Sequence, residues 1–303
     1  MISYLESSYL EATARERLQR LFDPGSFQEF LPPSARVVSP HLGQLNAPVA
    51  FDDGVAVGRA QLAGRTVFVA AQEGGFMGGA VGEVHGAKLV GMLRRAIDEA
   101  PDAVLLLLET GGVRLHEANA GLIAVSEVMR AVLDVRAAGI PVIALVGGAN
   151  GCFGGMGIVA RCTNAIVMSE EGRLAMSGPE VIETASGVEE FDARDRALVW
   201  RTTGGKHRYL LGDAQALVAD SIDAFRAAAL AQIDAASSRP VALTLAALEA
   251  EHALLTDRYE RFGHVREPME LWRAIGVTDP EALPLMEADV FVERVDAVRL
   301  GAR

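Results

Sequence analysis

Apolar residues fall into two kinds of run along this chain, and their alternation predicts an α/β protein. Short, nearly unbroken apolar runs have the length of strands: Val55 to Val57, Thr66 to Ala71, Val104 to Leu108, Pro141 to Val146 and Ala165 to Met168. Between them, apolar residues recur at helical spacing. Leu89, Met92, Leu93, Ala96, Ile97 and Ala100 share one face, and Leu122, Val125, Val128, Met129, Val132 and Val135 share another. Pro101 ends the first of these helices and Gly139 the second. A turn at Ala63-Gly64-Arg65 separates the first two strands. A short helix from Gly154 to Arg161 precedes the last strand, and Glu170 to Arg173 reads as a hairpin-like turn. Strands that are apolar throughout belong to a mainly parallel sheet covered on both faces.

The ends of the chain read differently. Residues 1 to 22 have the pattern of an amphipathic helix, broken at Asp23-Pro24-Gly25, and Pro32-Pro33 and Pro40 keep the next stretch irregular. Residues 1–45 therefore form an arm and residues 46–238 the core. Residues 239–303 form a helical segment packed on the core or on a partner. From about Asp192 onward the chain looks helical, with an Ala- and Leu-rich stretch over 223–255.

Composition narrows the function. Half of the 303 residues are hydrophobic, enough for a sizeable core. Acidic residues outnumber basic ones 40 to 28, which disfavours a nucleic-acid partner because that needs a basic face. Met1 to Leu10 has no basic start followed by an apolar run, and no stretch reaches about 18 apolar residues. The expectation is a cytoplasmic protein with no membrane span. Two cysteines, Cys152 and Cys162, make neither a disulfide framework nor a zinc site.

Two glycine-rich stretches, each directly after an apolar strand, carry the candidate chemistry. One is Thr110-Gly111-Gly112-Val113-Arg114; the other runs from Gly147 to Gly157 through Gly154-Gly155. Glycine lets backbone approach a ligand closely, and a strand that turns into a helix leaves N–H groups unpaired at one spot. Glycine after a strand is also the ordinary way to make a tight turn. The glycines between 74 and 82 lack the Gly-Lys-Ser/Thr ending of a P-loop. Gly154-Gly155-Met156-Gly157 lacks the dinucleotide-binding spacing.

In these blocks the chain resembles the carboxyltransferase branch of the crotonase superfamily. Five carry the likeness in order: Leu21 to Glu29, Phe76-Met77-Gly78-Gly79-Ala80-Val81-Gly82, Thr110 to Glu117, the second glycine turn, and Ala175 to Glu183. Thr202 to Tyr209 resembles, within that branch, the β subunits of biotin-independent malonate decarboxylases. Val113 stands where alanine is usual, and His116 where glutamine or methionine is frequent. Residues 1–45 hold no cysteine, unlike the zinc-ribbon carboxylase β subunits that share this core.

The resemblance implies an α/β crotonase-like fold of ββα units and half of a two-chain active site. The implied reaction removes CO₂ from a malonyl thioester on an acyl carrier protein, through an enolate. The implied partners are a carboxyltransferase α-like (γ) subunit, an acyl carrier protein subunit and an acyl carrier protein transferase subunit. No cofactor or metal is expected on this chain; the substrate rides on a CoA-like prosthetic arm. The alternatives are a biotin-dependent carboxyltransferase β-type subunit and a non-catalytic scaffold. Oxyanion donors worth ~2.7–4 kcal/mol each are expected from the N–H of Gly112 or Val113 and of Gly154 or Gly155.

Gly111, Arg114, His116, Glu117, Lys206 and Arg208 are the candidate substrate contacts. Arg114 could grip a phosphate or carboxylate, or serve a structural ion pair. His116 and Glu117 could act as acid or orient substrate, or could cap the next helix. Arg201, Lys206, His207 and Arg208 form a basic cluster suited to the phosphates of the arm or to the carrier's acidic surface, or else an ordinary solvated face. Cys152 has no evident base beside it and reads as a buried small residue.

Overall fold

The computed structural model describes residues 7–238 and 243–301. Seven strands form one sheet: β1 (Gln28–Glu29), β2 (Val55–Leu62), β3 (Arg65–Gln72), β4 (Ala103–Leu108), β5 (Val142–Val146), β6 (Ala165–Ser169) and β7 (Ala216–Val218). Their order in the sheet is their order in the chain. β1, β2 and β3 pair antiparallel, and β3 through β7 pair parallel. Parallel neighbours need crossovers. Before them lies α1 (Ala14–Leu21). The crossovers carry α2 (Glu83–Glu99), α3 (Asn119–Ala137), α4 (Gly155–Arg161), α5 (Pro179–Ser186), α6 (Arg196–Thr203) and α7 (Gly205–Leu210). After β7 come α8 (Ile222–Ser238), α9 (Leu245–Phe262), α10 (Pro268–Ala274) and α11 (Ala288–Val295).

β4 lies at the centre of the sheet with every residue buried. Val104, Leu106 and Leu108 face a layer built from α2 and α3, while Leu105 and Leu107 face the side of α1 and α8. Each leucine so buried is worth about 1.5–3 kcal/mol. β2 is longer than its apolar run predicts. Beyond Val57 it alternates, with Arg59 exposed and Leu62 buried, so its second half is a half-solvated strand rather than an apolar one.

The N-terminal arm departs from the single helix expected over residues 1–22. Residues 8–13 are not helical, Ala14–Leu21 is, and residues 1–6 lie outside the described part. Asp220 accepts the N–H groups of Tyr9 at 3.0 Å and Leu10 at 2.8 Å, and the Ser8 hydroxyl donates to the same carboxylate. A continuous helix would need that backbone for itself. Thr13 and Glu16 then open α1 with a capping box.

The end of the chain returns to the core. Trp272, Leu283, Phe291 and Val295 pack with Tyr209, Leu210 and Leu217. α9, by contrast, buries no residue. Trp272 Nε1 donates to His207 Nδ1 at 3.1 Å. Burial, with a smaller push from Arg208, lowers the His207 pKa from 6.5 to about 3. The folded chain thus refuses a proton that the unfolded chain accepts. The stability tied to His207 is full above about pH 6.5 and is lost as pH falls toward about 3. His207→Gln keeps an acceptor for Trp272 and cannot protonate. Between about pH 7 and pH 5 its stability should fall less steeply than wild type, by up to ~1.4 kcal/mol per pH unit. Urea denaturation at both ends of that interval measures this, and an unchanged slope would sink the assignment.

Candidate active site

The two glycine turns sit side by side at the carboxyl ends of β4 and β5. Thr110 N donates to Gly151 O at 2.8 Å, and Phe153 N donates to Thr110 O at 2.9 Å. Further isolated bridges join Val81 to Val113, Cys152 to Leu174 and Arg173 to Gly204. Together they make a second, smaller layer over the ends of the main sheet. Where the turns meet, the backbone calls for glycine on both sides. Gly112 has φ +128° and Gly154 has φ +62°, and a Cβ on Gly154 would lie 3.0 Å from Gly112 Cα.

Hydrogen bonding sorts the four candidate donors. Gly112 N–H goes to Thr110 Oγ1 at 3.0 Å. Gly154 N–H goes to Met176 O at 3.0 Å. The N–H groups of Val113 and Gly155 have no partner among the described residues. The reasons are local. Gly112 O and Arg114 N both bond Val81, and successive groups in extended chain point to opposite sides, which turns Val113 N–H away. Gly155 is the first residue of α4, where an N–H has no partner within the helix.

The expected charged contacts are spent inside the chain. Arg114 is fully buried. Its Nη1 lies 3.0 and 2.9 Å from the two oxygens of Asp53, and Nη2 donates to Asp53 O at 3.2 Å. Glu117 is buried too. It accepts the Ser39 hydroxyl and the Glu83 N–H at 2.8 Å, so it caps the start of α2, not the helix that follows it. Both side chains are buried and bonded within the chain. Lys206 pairs with Glu170 at 3.1 Å and donates to the carbonyls of Pro284 and Met286. Arg208 pairs with Asp213 at 3.1 Å and donates to Thr202 O at 3.2 Å. Lys206, with His207, thus helps to hold the C-terminal segment in place, while Arg208 bonds within its own stretch of chain. Of the six candidate contacts, only Gly111 and His116 remain exposed beside the first turn.

Cys152 is buried in the second layer, and burial pushes its thiol up to about 12. It stays protonated and is no nucleophile. Among the described residues no group of three or more His, Cys, Asp or Glu is arranged to hold a metal ion. No described helix is long and apolar enough to cross a membrane.

The sequence reading passed over Glu109. This carboxylate is buried one residue before the first turn. Arg17 of α1 donates to its Oε2, and its Oε1 lies 3.3 Å from both the backbone N and the Nδ2 of Asn150 in the second turn. The available signal was a lone charge ending the apolar run of β4, a place where a charge is stable only if paired. Around the turns, Leu115, Leu122, Ile123, Met176 and Val181 are all more than half exposed, an apolar rim unusual for solvent-facing surface.

The model of the carboxyl transferase domain matches residues 10–225. The malonyl-S-ACP:biotin-protein carboxyltransferase MADC of Malonomonas rubra is 50% identical over 73% of this chain and 74% of its own. Among solved structures, the Pseudomonas malonate decarboxylase hetero-tetramer in complex with malonate is 39% identical, covering 88% of this chain and 96% of that one at a TM-score of 0.78. The transcarboxylase 12S subunit is 28% identical at a TM-score of 0.60, and this chain covers 40% of its length. These relatives are enzymes of crotonase-like fold. With the paired turns in place and the family model spanning most of its length, the chain belongs to the carboxyl transferase domain family.

Proposed function

We propose that this chain is one half of a malonate decarboxylase active site. With an α-like carboxyltransferase partner it removes CO₂ from a malonyl thioester on an acyl carrier protein and leaves the acetyl thioester. The carrier protein and the transferase that loads it are the further subunits this reading calls for. The observation that carries it is the pair of joined glycine turns with the Val113 and Gly155 N–H groups left over. In the reaction the C–C bond to the carboxylate breaks and CO₂ departs. The bond's electron pair moves toward the thioester carbonyl, whose oxygen takes the charge. Two N–H donors at about 3 Å from that oxygen stabilise it. A proton is then added to carbon.

Several findings support the reading. The Pseudomonas neighbours are malonate decarboxylases, one a hetero-tetramer with malonate and the other a hetero-dimer. The Malonomonas relative is named for malonyl-S-ACP. The apolar rim at Leu115, Leu122 and Ile123 is where a second subunit would complete the pocket. Two free cysteines fit a cytoplasmic setting. The chain itself supplies backbone donors and binds no cofactor in this scheme.

A second reading has its own support, since the Malonomonas relative is a carboxyltransferase to a biotin protein. Both readings pass through the same enolate and differ in the carboxyl acceptor. The test follows CO₂ release from malonyl-carrier protein by the purified chain, with and without its α-like partner, in the absence of biotin and ATP. Release that needs both chains and no biotin supports the decarboxylase. Carboxyl transfer that appears only with a biotin-carrying protein establishes the second reading. A complex that does neither overturns both, and a scaffold role remains.

A further inference from the structure

We propose that Glu109, clamped by Arg17, is a positioning residue that fixes the two glycine turns relative to each other. The inference rests on the reading above, in which both turns hold one enolate oxygen. Glu109 is joined by one peptide bond to Thr110, so its main chain moves with the first turn. Its N–H is itself held by Gln72 Oε1 at 3.1 Å. Its side chain reaches the second turn, where Oε1 meets Asn150 N and Nδ2 at 3.3 Å each. The other oxygen takes Arg17 Nη1.

Arg17 is no loose counter-charge. It is 1% exposed, its Nε donates to Tyr9 O at 2.9 Å, and its guanidinium lies 4.4 Å from the Tyr9 ring centroid. The carboxylate also fills the space that two glycines leave open. A Cβ on Gly74 would come within 2.3 Å of Oε1, and one on Gly148 within 2.2 Å of Oε2. One carboxylate thus ties the first turn, the second turn and the N-terminal arm together.

Stability alone accounts poorly for a charge in this place, because a buried ion pair often does no better than apolar side chains of the same volume. Geometry accounts for it well. Donors on two separate loops act together only if their spacing is held, and a misplacement of about 1 Å costs on the order of 10²-fold in rate.

The test uses the complex of the chain with its partner and the variants Glu109→Gln, Asn150→Ala and Arg17→Met/Glu109→Gln. kcat is expressed per folded complex, and wild type is first assayed for both CO₂ release and biotin-linked carboxyl transfer. On whichever activity wild type has, Glu109→Gln should lower kcat about 10–100-fold and change KM less than about threefold. The double variant should be no worse than Glu109→Gln, as for two groups acting as a unit. Asn150→Ala leaves the ion pair intact, so it should fold normally and still lower kcat. A kcat per folded molecule within about twofold of wild type in both single variants would overturn the proposal, even with a lowered Tm. If wild type has neither activity, the functional reading has failed. The positioning claim is then judged by amide exchange: faster exchange over residues 147–157 with β4 and β5 unchanged upholds it, and unchanged exchange overturns it.

Discussion

A single methyl group at Gly154 is expected to lower turnover of the assembled enzyme by on the order of 10²–10³-fold. The backbone here has φ 62° and ψ −144°, a region open essentially to glycine and costing other residues about 1–3 kcal/mol. The new Cβ would stand 3.0 Å from Gly112 Cα, and backbone on the opposing turn cannot swing aside as a side chain would. Either α4 rotates, carrying Gly155 N–H with it, or the first turn recedes with Val113. One donor is lost in either case, and one donor in such a site is worth about 2.7–4 kcal/mol. Gly91→Ala is the matched control. Gly91 lies within α2 with open space around it, so alanine there should leave turnover unchanged and stabilise by up to ~1 kcal/mol. Steady-state kinetics and gel filtration of the complex decide the matter. Assembly retained with turnover lost excludes the scaffold role, and turnover within about tenfold of wild type refutes the donor assignment.

The glycine turns were legible because close approach and positive φ leave a mark in composition at the very residues concerned. The central strands were legible for a similar reason, since a strand buried on both faces is apolar at every position, as β4 is. What depends on distant partners was not legible. Glu109 acquires its meaning from Arg17, 92 residues away, and nothing in the local sequence announces that pairing. The single helix expected over residues 1–22 is interrupted at residues 8–13 because Asp220, far along the chain, takes the Tyr9 and Leu10 N–H groups. The basic cluster at 201–208 shows the opposite case. Its charges are neighbours in sequence, yet the short helices there aim Lys206 at the Pro284 and Met286 carbonyls, His207 at Trp272 and Arg208 at Asp213. Closeness along the chain predicted a shared field, but the fold gave Lys206, His207 and Arg208 each a partner of its own.

Asp53→Ala should be the costliest change to stability, lowering it by about 3–5 kcal/mol and Tm on the order of 10 °C. The reason is the charge left behind. Arg114 is fully buried and cannot lose its proton. Without Asp53 its one remaining carboxylate among the described residues is Glu117, at 3.5 Å. The converse change, Arg114→Met, should cost less, because a carboxyl group can neutralise itself. Burial already pushes the Asp53 pKa up, and Arg114 is the main force holding it back. Once the guanidinium is gone, the folded-state pKa rises further. A group whose folded pKa is raised favours the fold below that pKa and loses the advantage as pH climbs through it. Arg114→Met should therefore gain stability relative to wild type as pH is lowered from neutral into the acid range, whereas Asp53→Ala should show no such recovery. Thermal unfolding of both variants across that interval tests the asymmetry. Equal losses with parallel pH profiles would mean that the pair is not coupled in the way its geometry indicates.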